Sequence, residues 1–250
     1  MKIESQVTQR PSLSILNALY EYDDFMESIK NLADLGCGTG EDLAWWATRT
    51  TRSENPQPLN IKCVGVDTLP TLPMARQHAN VTYQRNNFEQ QLYAPKDGFD
   101  ILWCHDAFQY CIDPIGTLGK WRQIASPGAM LVIAVPETTQ LLRNQLCYHL
   151  PAGVFYHHTL VSLIYMLAIN GWDCKSGFFQ KSAADSWIRA VVYKSDQQPE
   201  NPTGLSWYDL VDLKLLPETA DKSVLAHGHL RQQDLVVPWL DQNLTWMGKL

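Results

Sequence analysis

Five short runs rich in apolar or β-branched residues, "NLADL", "IKCVGVD", "NVTYQ", "FDILWCH" and "AMLVIAVP", are separated by segments long enough to hold a helix each. Parallel neighbours need a crossover of that length, so the spacing predicts a parallel sheet with helices on both faces. Two further strands, "WDCKSGFFQK" and "SWIRAVVYKS", are joined only by "SAAD", which makes them an antiparallel pair at the sheet edge. Ahead of the first strand, residues 12–30 place Leu13, Leu16, Leu19 or Tyr20, and Met26 at helical intervals and predict an amphipathic leading helix. The polar stretch 48–60 reads as a surface loop, "SPG" at 126–128 as a break before the fifth strand, and 137–148 and 158–169 as helices. At Asp196 the composition turns to a linker, "DQQPENPTG", followed by two helical pieces. The expected organisation is an N-terminal helical cap (1–30), a core (31–195) and a C-terminal extension (196–250) that packs on the core, forms a lid or makes an oligomer contact.

Composition narrows the class. With 45% apolar and 18% charged residues the chain can bury a core and is not disordered. A net charge of −6 and the absence of a Lys/Arg-rich run argue against a phosphate-tracking nucleic-acid surface. Six cysteines without a C-x-x-C pair fit a reducing compartment. The start lacks the apolar core of a secretory signal, and no run reaches the roughly 18 apolar residues of a membrane span, so a cytoplasmic protein is expected.

The first strand runs into "GCGTGED" (36–42), three glycines in five positions followed by acids. Such a turn needs positive φ values and lets backbone approach a bound group, although glycines also serve tight packing of strand against helix. Asp67, at the tip of the second strand, can accept hydrogen bonds from the vicinal hydroxyls of a ribose or be an ordinary strand-end acid. Asp34 lies inside the first strand, where burying an unpaired carboxylate is costly; a cationic ligand group would resolve the cost. The pattern is G-x-G-x-G, without the last glycine of a dinucleotide fingerprint, and the acid stands 27 positions past Gly40 (67 − 40). A nicotinamide oxidoreductase is therefore poorly supported.

"DLGCGTGED", "GVD" and "FDILWCHDAFQYCIDP" together resemble the class I S-adenosylmethionine-dependent methyltransferases, over about residues 30–194. The resemblance implies a seven-stranded, mostly parallel sheet in the order 3-2-1-4-5-7-6 with the last strand antiparallel, and S-adenosylmethionine as cofactor. It implies that Asp34 faces the methionyl ammonium, that Gly36, Cys37, Gly38 and Gly40 wrap the amino-acid and ribose portion, and that Asp67, with Thr68 beside it, holds the ribose hydroxyls. Asn87 stands where the family usually has an acid contacting the adenine amino group; its side-chain carbonyl can still accept that bond, Asn86 is the competing assignment, and Phe88 is the apolar neighbour of the ring.

Methyl transfer from a sulfonium needs alignment, exclusion of water and management of one proton, and no metal. The loop after strand four offers His105 and Asp106 for the proton, with His105 also bordering the cofactor. The alternatives are that Asp106 caps the following helix and that His105 is a satisfied core histidine. Tyr110 stands where many small-molecule relatives carry a histidine, and can bound the pocket or bond a substrate. Adjacent His157 and His158 lack the separation of a metal pair. The expected activity is methyl transfer to an O, N or C nucleophile of a small-molecule acceptor. A non-catalytic cofactor-binding scaffold or partner subunit is the rival reading.

Overall fold

The seven-stranded sheet is the frame of the molecule and has the order β3-β2-β1-β4-β5-β7-β6. Its strands are β1 (Asn31–Leu35), β2 (Lys62–Asp67), β3 (Val81–Arg85), β4 (Phe99–His105), β5 (Ala125–Pro136), β6 (Trp172–Lys181) and β7 (Trp187–Lys194). The computed structural model describes residues 12–70, 78–136, 156, 158–181 and 187–218. Strands β1 to β5 pair in parallel, and β7 runs antiparallel to both β5 and β6. The order and the antiparallel strand agree with expectation. The helix expected at 137–148, the "SAAD" joint and the last helical piece lie outside the described residues.

Strand alternation sends Ile101 and Trp103 to one face of the sheet and Leu102 and Cys104 to the other, and all four are fully buried. The first face packs Trp103, Met130 and Val132 against Leu16, Leu19, Leu43 and Trp46. The second packs Leu131 and Ile133 with Leu118, Trp121, Leu163 and Leu167. Helices α1 (Leu13–Tyr20), α2 (Asp23–Ser28) and α3 (Glu41–Ala47) supply the first layer, α4 (Pro114–Ile124) and α5 (Leu160–Ile169) the second. Each buried side chain of this size contributes about 1.5–3 kcal/mol, so both faces are needed.

Two expectations are corrected. The leading helix is two helices, because Tyr22 is extended (φ −114°, ψ 93°) and Asp23 and Asp24 open a second one, where carboxylates favour the positive helix end. "SPG" does not precede β5 but lies within it. The ladder to β4 skips from Phe99–Ala125 to Ile101–Met130, so Ser126 to Ala129 form an unpaired bulge around Gly128 at φ 70°. Past the linker, α6 (Trp207–Asp212) is capped by Ser206, and Leu210, Leu215 and Leu216 join the core. Cys174 N–H donates to Leu215 O at 2.9 Å and the Tyr165 hydroxyl to Leu205 O, so this piece is fastened to β6 and α5.

Candidate functional site

At the carboxyl end of β1 the chain turns through Gly36 (φ 80°), Gly38 (φ 52°) and Gly40 (φ 85°) before α3 begins. The N–H groups of Gly36 and Cys37 both donate to Val66 O, at 2.8 and 3.1 Å, and fix the turn to the end of β2. The glycines do different work. A Cβ on Gly36 would stand 2.3 Å from Ala107 Cβ, so packing against the β4 loop requires glycine there. A Cβ on Gly38 would meet nothing within 4 Å, because that position borders an open cleft of about 300 Å³. Gly36 thus has the packing role expected of glycine, and Gly38, two residues on, has open space beside it.

The cleft is lined by Ser12, Asp34, Gly36, Cys37, Gly38, Thr39, Glu41, Asp42, His105 and Asp106, with no Lys or Arg among them. Asp42 is satisfied: it accepts from the Ser12 hydroxyl at 2.8 Å and from Trp103 Nε1 at 3.0 Å, which ties α1 and β4 to the turn. Asp67, at the end of β2, accepts from Gly38 N–H at 2.8 Å and Leu69 N–H at 3.0 Å, and so holds the turn. Asp34 is only 3% exposed, and its carboxyl makes no hydrogen bond among the described residues. Burial, then the nearby Asp42 and Asp67, push its pKa well above the usual carboxylate range.

The loop after β3 is held internally. Asn86 Oδ1 accepts from Asn87 N–H, and Asn87 Oδ1 from Glu89 N–H, both at 2.9 Å. Each oxygen keeps a second lone pair. Phe88 approaches the position a Gly36 Cβ would take (3.6 Å) and its carbonyl accepts from Trp121 Nε1. Thr68 is exposed. Glu89 had no role in the sequence reading, yet its carboxylate accepts from Ile112 N–H (2.8 Å) and Asp113 N–H (2.9 Å), clasping the β3 and β4 loops together.

At the end of β4 the structure brings His105 and Asp106 to the rim and leaves Tyr110 outside the cleft lining, 39% exposed. Asp106 does not cap α4; Asp113 does, accepting from Gly116 N–H at 2.9 Å. Asp106 instead has φ 57°, a left-handed backbone uncommon for a residue with a side chain, and its N–H donates to Ala134 O at 2.9 Å. Its carboxyl accepts from Gln109 Nε2 at 2.6 Å. Surrounding protein raises its pKa, against the lowering effects of Gln109 and His105, although the side chain reaches water. His105 stacks on Trp187 (4.9 Å between centroids, 20° between planes), so β7 fixes the imidazole plane. Gln109 and Trp187 carried no sequence signal, since only the fold brings them here. His158 is buried against Phe108, away from the cleft lining, and His157 lies outside the described residues.

A seven-stranded sheet of this order, with a glycine cradle after β1 and an acid after β2, defines a Rossmann-like methyltransferase that uses S-adenosylmethionine. The pattern of the methyltransferase-domain family matches residues 14–225, and the chain belongs to that family. It is 22% identical over 205 residues to a ubiquinone biosynthesis O-methyltransferase of Hahella chejuensis, covering 80% of this chain and 76% of the relative. It is 30% identical over 107 residues to the enzyme of the same name from Cereibacter sphaeroides, covering 40% of this chain and 39% of that one. Among solved structures, the N-methyltransferase NodS from Bradyrhizobium japonicum, in complex with S-adenosyl-L-homocysteine, has the same fold. Its TM-score is 0.51 at 12% identity, covering 73% of this chain and 84% of that one.

Proposed function

We propose that this methyltransferase transfers the methyl group of S-adenosylmethionine to an oxygen of a small-molecule acceptor, with the cofactor's amino-acid end in the cleft beneath the glycine turn. The observation that carries this reading is Asp34, a buried carboxyl that has no donor among the described residues and faces a cleft whose described lining offers no cationic side chain. A ligand ammonium supplies both the charge and the N–H donors that the site lacks. Gly38 leaves its side of the cleft open to that ligand, and Asp67 and Asn86 or Asn87 stand on the loops that would meet a ribose and an adenine. The N-terminal helices belong to the site, since Ser12 lines it and bonds Asp42.

S-adenosylmethionine supplies a methyl on a sulfonium, so transfer is a direct displacement in which the acceptor's lone pair forms the new bond as the bond to sulfur breaks. The protein's task at the acceptor is the proton that a hydroxyl must lose. Asp106 takes it at the rim, oriented by Gln109, with His105 beside it to pass it to water. The O-methyltransferase names of the curated relatives support oxygen over nitrogen or carbon.

The test is to incubate the purified chain with S-adenosylmethionine and separate panels of hydroxylated, amino and carbon-acid small molecules, following S-adenosylhomocysteine release and the mass of the products. O-methyl products are expected, with turnover falling about a hundredfold or more in Asp106→Asn. Products methylated only on nitrogen or carbon would replace the oxygen assignment, and an undiminished Asp106→Asn variant would remove Asp106 from the proton step.

A further inference from the structure

We propose that Asp34 carries a proton in the free protein and gives it up when S-adenosylmethionine binds, so that cofactor capture is coupled to proton release. This rests on the reading above that places the cofactor's ammonium at Asp34.

Three neighbouring acids differ in their donors. Asp42, on α3, accepts from Ser12 and Trp103; Asp67, at the end of β2, accepts from two backbone N–H groups. Asp34, on β1 between them, accepts none among the described residues and is 3% exposed. Burial of Asp34, and then the nearby Asp42 and Asp67 carboxyls, disfavour its anion, which among the described residues has no hydrogen bond to lose.

The other groups around Asp34 do not rescue its anion. Cys37 in the turn, Cys63 on β2 and Cys104 on β4 are buried thiols; burial, then the acid itself, pushes each up, Cys63 to about 12, so none of them supplies a countercharge. Among the described residues His105 is the one histidine in the cleft lining, and it lies at the rim stacked on Trp187 with Asp106 as its neighbour. Among the described residues no Lys or Arg lines the cleft. The same carboxyl that is best left neutral in the free protein becomes the natural partner of an ammonium once one arrives. The proton passes to solvent, the ionised carboxylate takes the N–H donors of the ligand, and charge balances.

The experiment is calorimetric titration of the full chain with S-adenosylmethionine in buffers of different ionisation enthalpy, between about pH 5.5 and 7.5, below the titration of the ligand's own amine. The expected result is release approaching about one proton per cofactor at the acid end, and an apparent affinity rising by at most about tenfold per pH unit until Asp34 is ionised in the free protein. S-adenosylhomocysteine, which keeps the ammonium but not the sulfonium charge, should release the same proton. Asp34→Asn, which preserves shape, should bind more weakly, without proton release or pH slope.

Saturable binding by the unaltered protein with no buffer-dependent heat overturns the inference and leaves the cofactor site standing. Release seen with S-adenosylmethionine but not with S-adenosylhomocysteine, or retained in Asp34→Asn, overturns it in favour of His105 or Asp106. No saturable binding of either ligand overturns the placement of the cofactor itself, and the inference with it.

Discussion

Two acid-lined hollows sit at opposite ends of the sheet, and the larger one is chemically the quieter. At the amino ends of the strands, Glu21, Asp23, Asp24 and Asp100 border a cavity of about 860 Å³. Asp100 accepts from Lys30 N–H at 2.8 Å, Asn31 N–H at 2.9 Å and the Ser126 hydroxyl at 3.1 Å, tying the start of β1 to β4 and the β5 bulge. Glu21 is paired with Arg52 at 2.9 Å. Among the described residues the Tyr193 hydroxyl has no partner, and burial pushes its pKa up and keeps it neutral. At the carboxyl ends, the smaller cleft holds a buried carboxyl with no donor, beside two left-handed glycines and a left-handed Asp106. In the reading proposed above, volume does not mark the site; a buried carboxyl without a donor among the described residues and backbone strain do, because both cost stability and persist where a ligand answers them.

The largest expected effect separates the two glycines that build the smaller cleft. Gly36→Ala forces a left-handed alanine and an overlap with Ala107, and should destabilise the fold by about 2–4 kcal/mol. Gly38→Ala has only the backbone strain, about 1–2 kcal/mol. Its methyl points into open space, so it should weaken cofactor binding more than Tm. Equal thermal losses in the two variants would break the distinction between packing glycine and cradle glycine. Next in size, Asp34→Asn should lower S-adenosylmethionine affinity about ten- to a hundredfold, the value of a charge-assisted bond. Asp100→Ala should do the reverse. Two partly exposed N–H groups lose their acceptor, Tm falls by roughly 3–6 °C and affinity stays within about twofold. If Asp100→Ala reduces binding as much as Asp34→Asn does, the contrast between the two ends is wrong.

What could be read from the sequence follows from what is local. The strands and the glycine turn were legible because apolar runs, helix-length gaps and a dense glycine motif are properties of consecutive residues, whereas the strand order was implied only by the family resemblance. Asp34 and Asp67 were legible by position, one inside a strand and one at a strand tip. The break at Tyr22 was not, because the amphipathic period continues through it and only Asp23 and Asp24 mark the restart. "SPG" reads as turn chemistry wherever it occurs; that β5 resumes pairing with β4 on both sides of it is a tertiary fact. The same holds around the site. Glu89, Gln109 and Trp187 reach Ile112, Asp106 and His105 across 23, three and 82 positions (112 − 89, 109 − 106, 187 − 105), through side-chain contacts with no period to detect. Asp106 resembled a helix cap because an acid before a turn usually is one, while Asp113, seven residues on (113 − 106), has that role.

The smallest effect is the most discriminating, because its sign runs against the usual expectation for a carboxylate. Most acids in folded proteins have partners, are held below their unfolded pKa and contribute stability that is lost on acidification. Asp34 is raised above its ordinary value by burial and by Asp42 and Asp67. Its contribution is therefore fully present below the unfolded carboxylate pKa, near about 3.9, and is withdrawn as pH climbs through the folded value, by about 1.4 kcal/mol for each unit that separates the two. Asp34→Asn keeps the shape of the neutral acid and has no proton to lose. Melting curves of the free proteins should nearly coincide at the acid end and diverge as pH rises, the variant becoming the more stable. Saturating S-adenosylmethionine should reverse the order, because it stabilises the protein that can offer it an anion more than the weaker-binding variant. A variant that loses the ligand and gains fold stability at neutral pH would show that the cleft keeps Asp34 for binding, at the expense of the fold. One that melts below the unaltered protein at every pH would place Asp34 with Asp100, among the acids that serve structure.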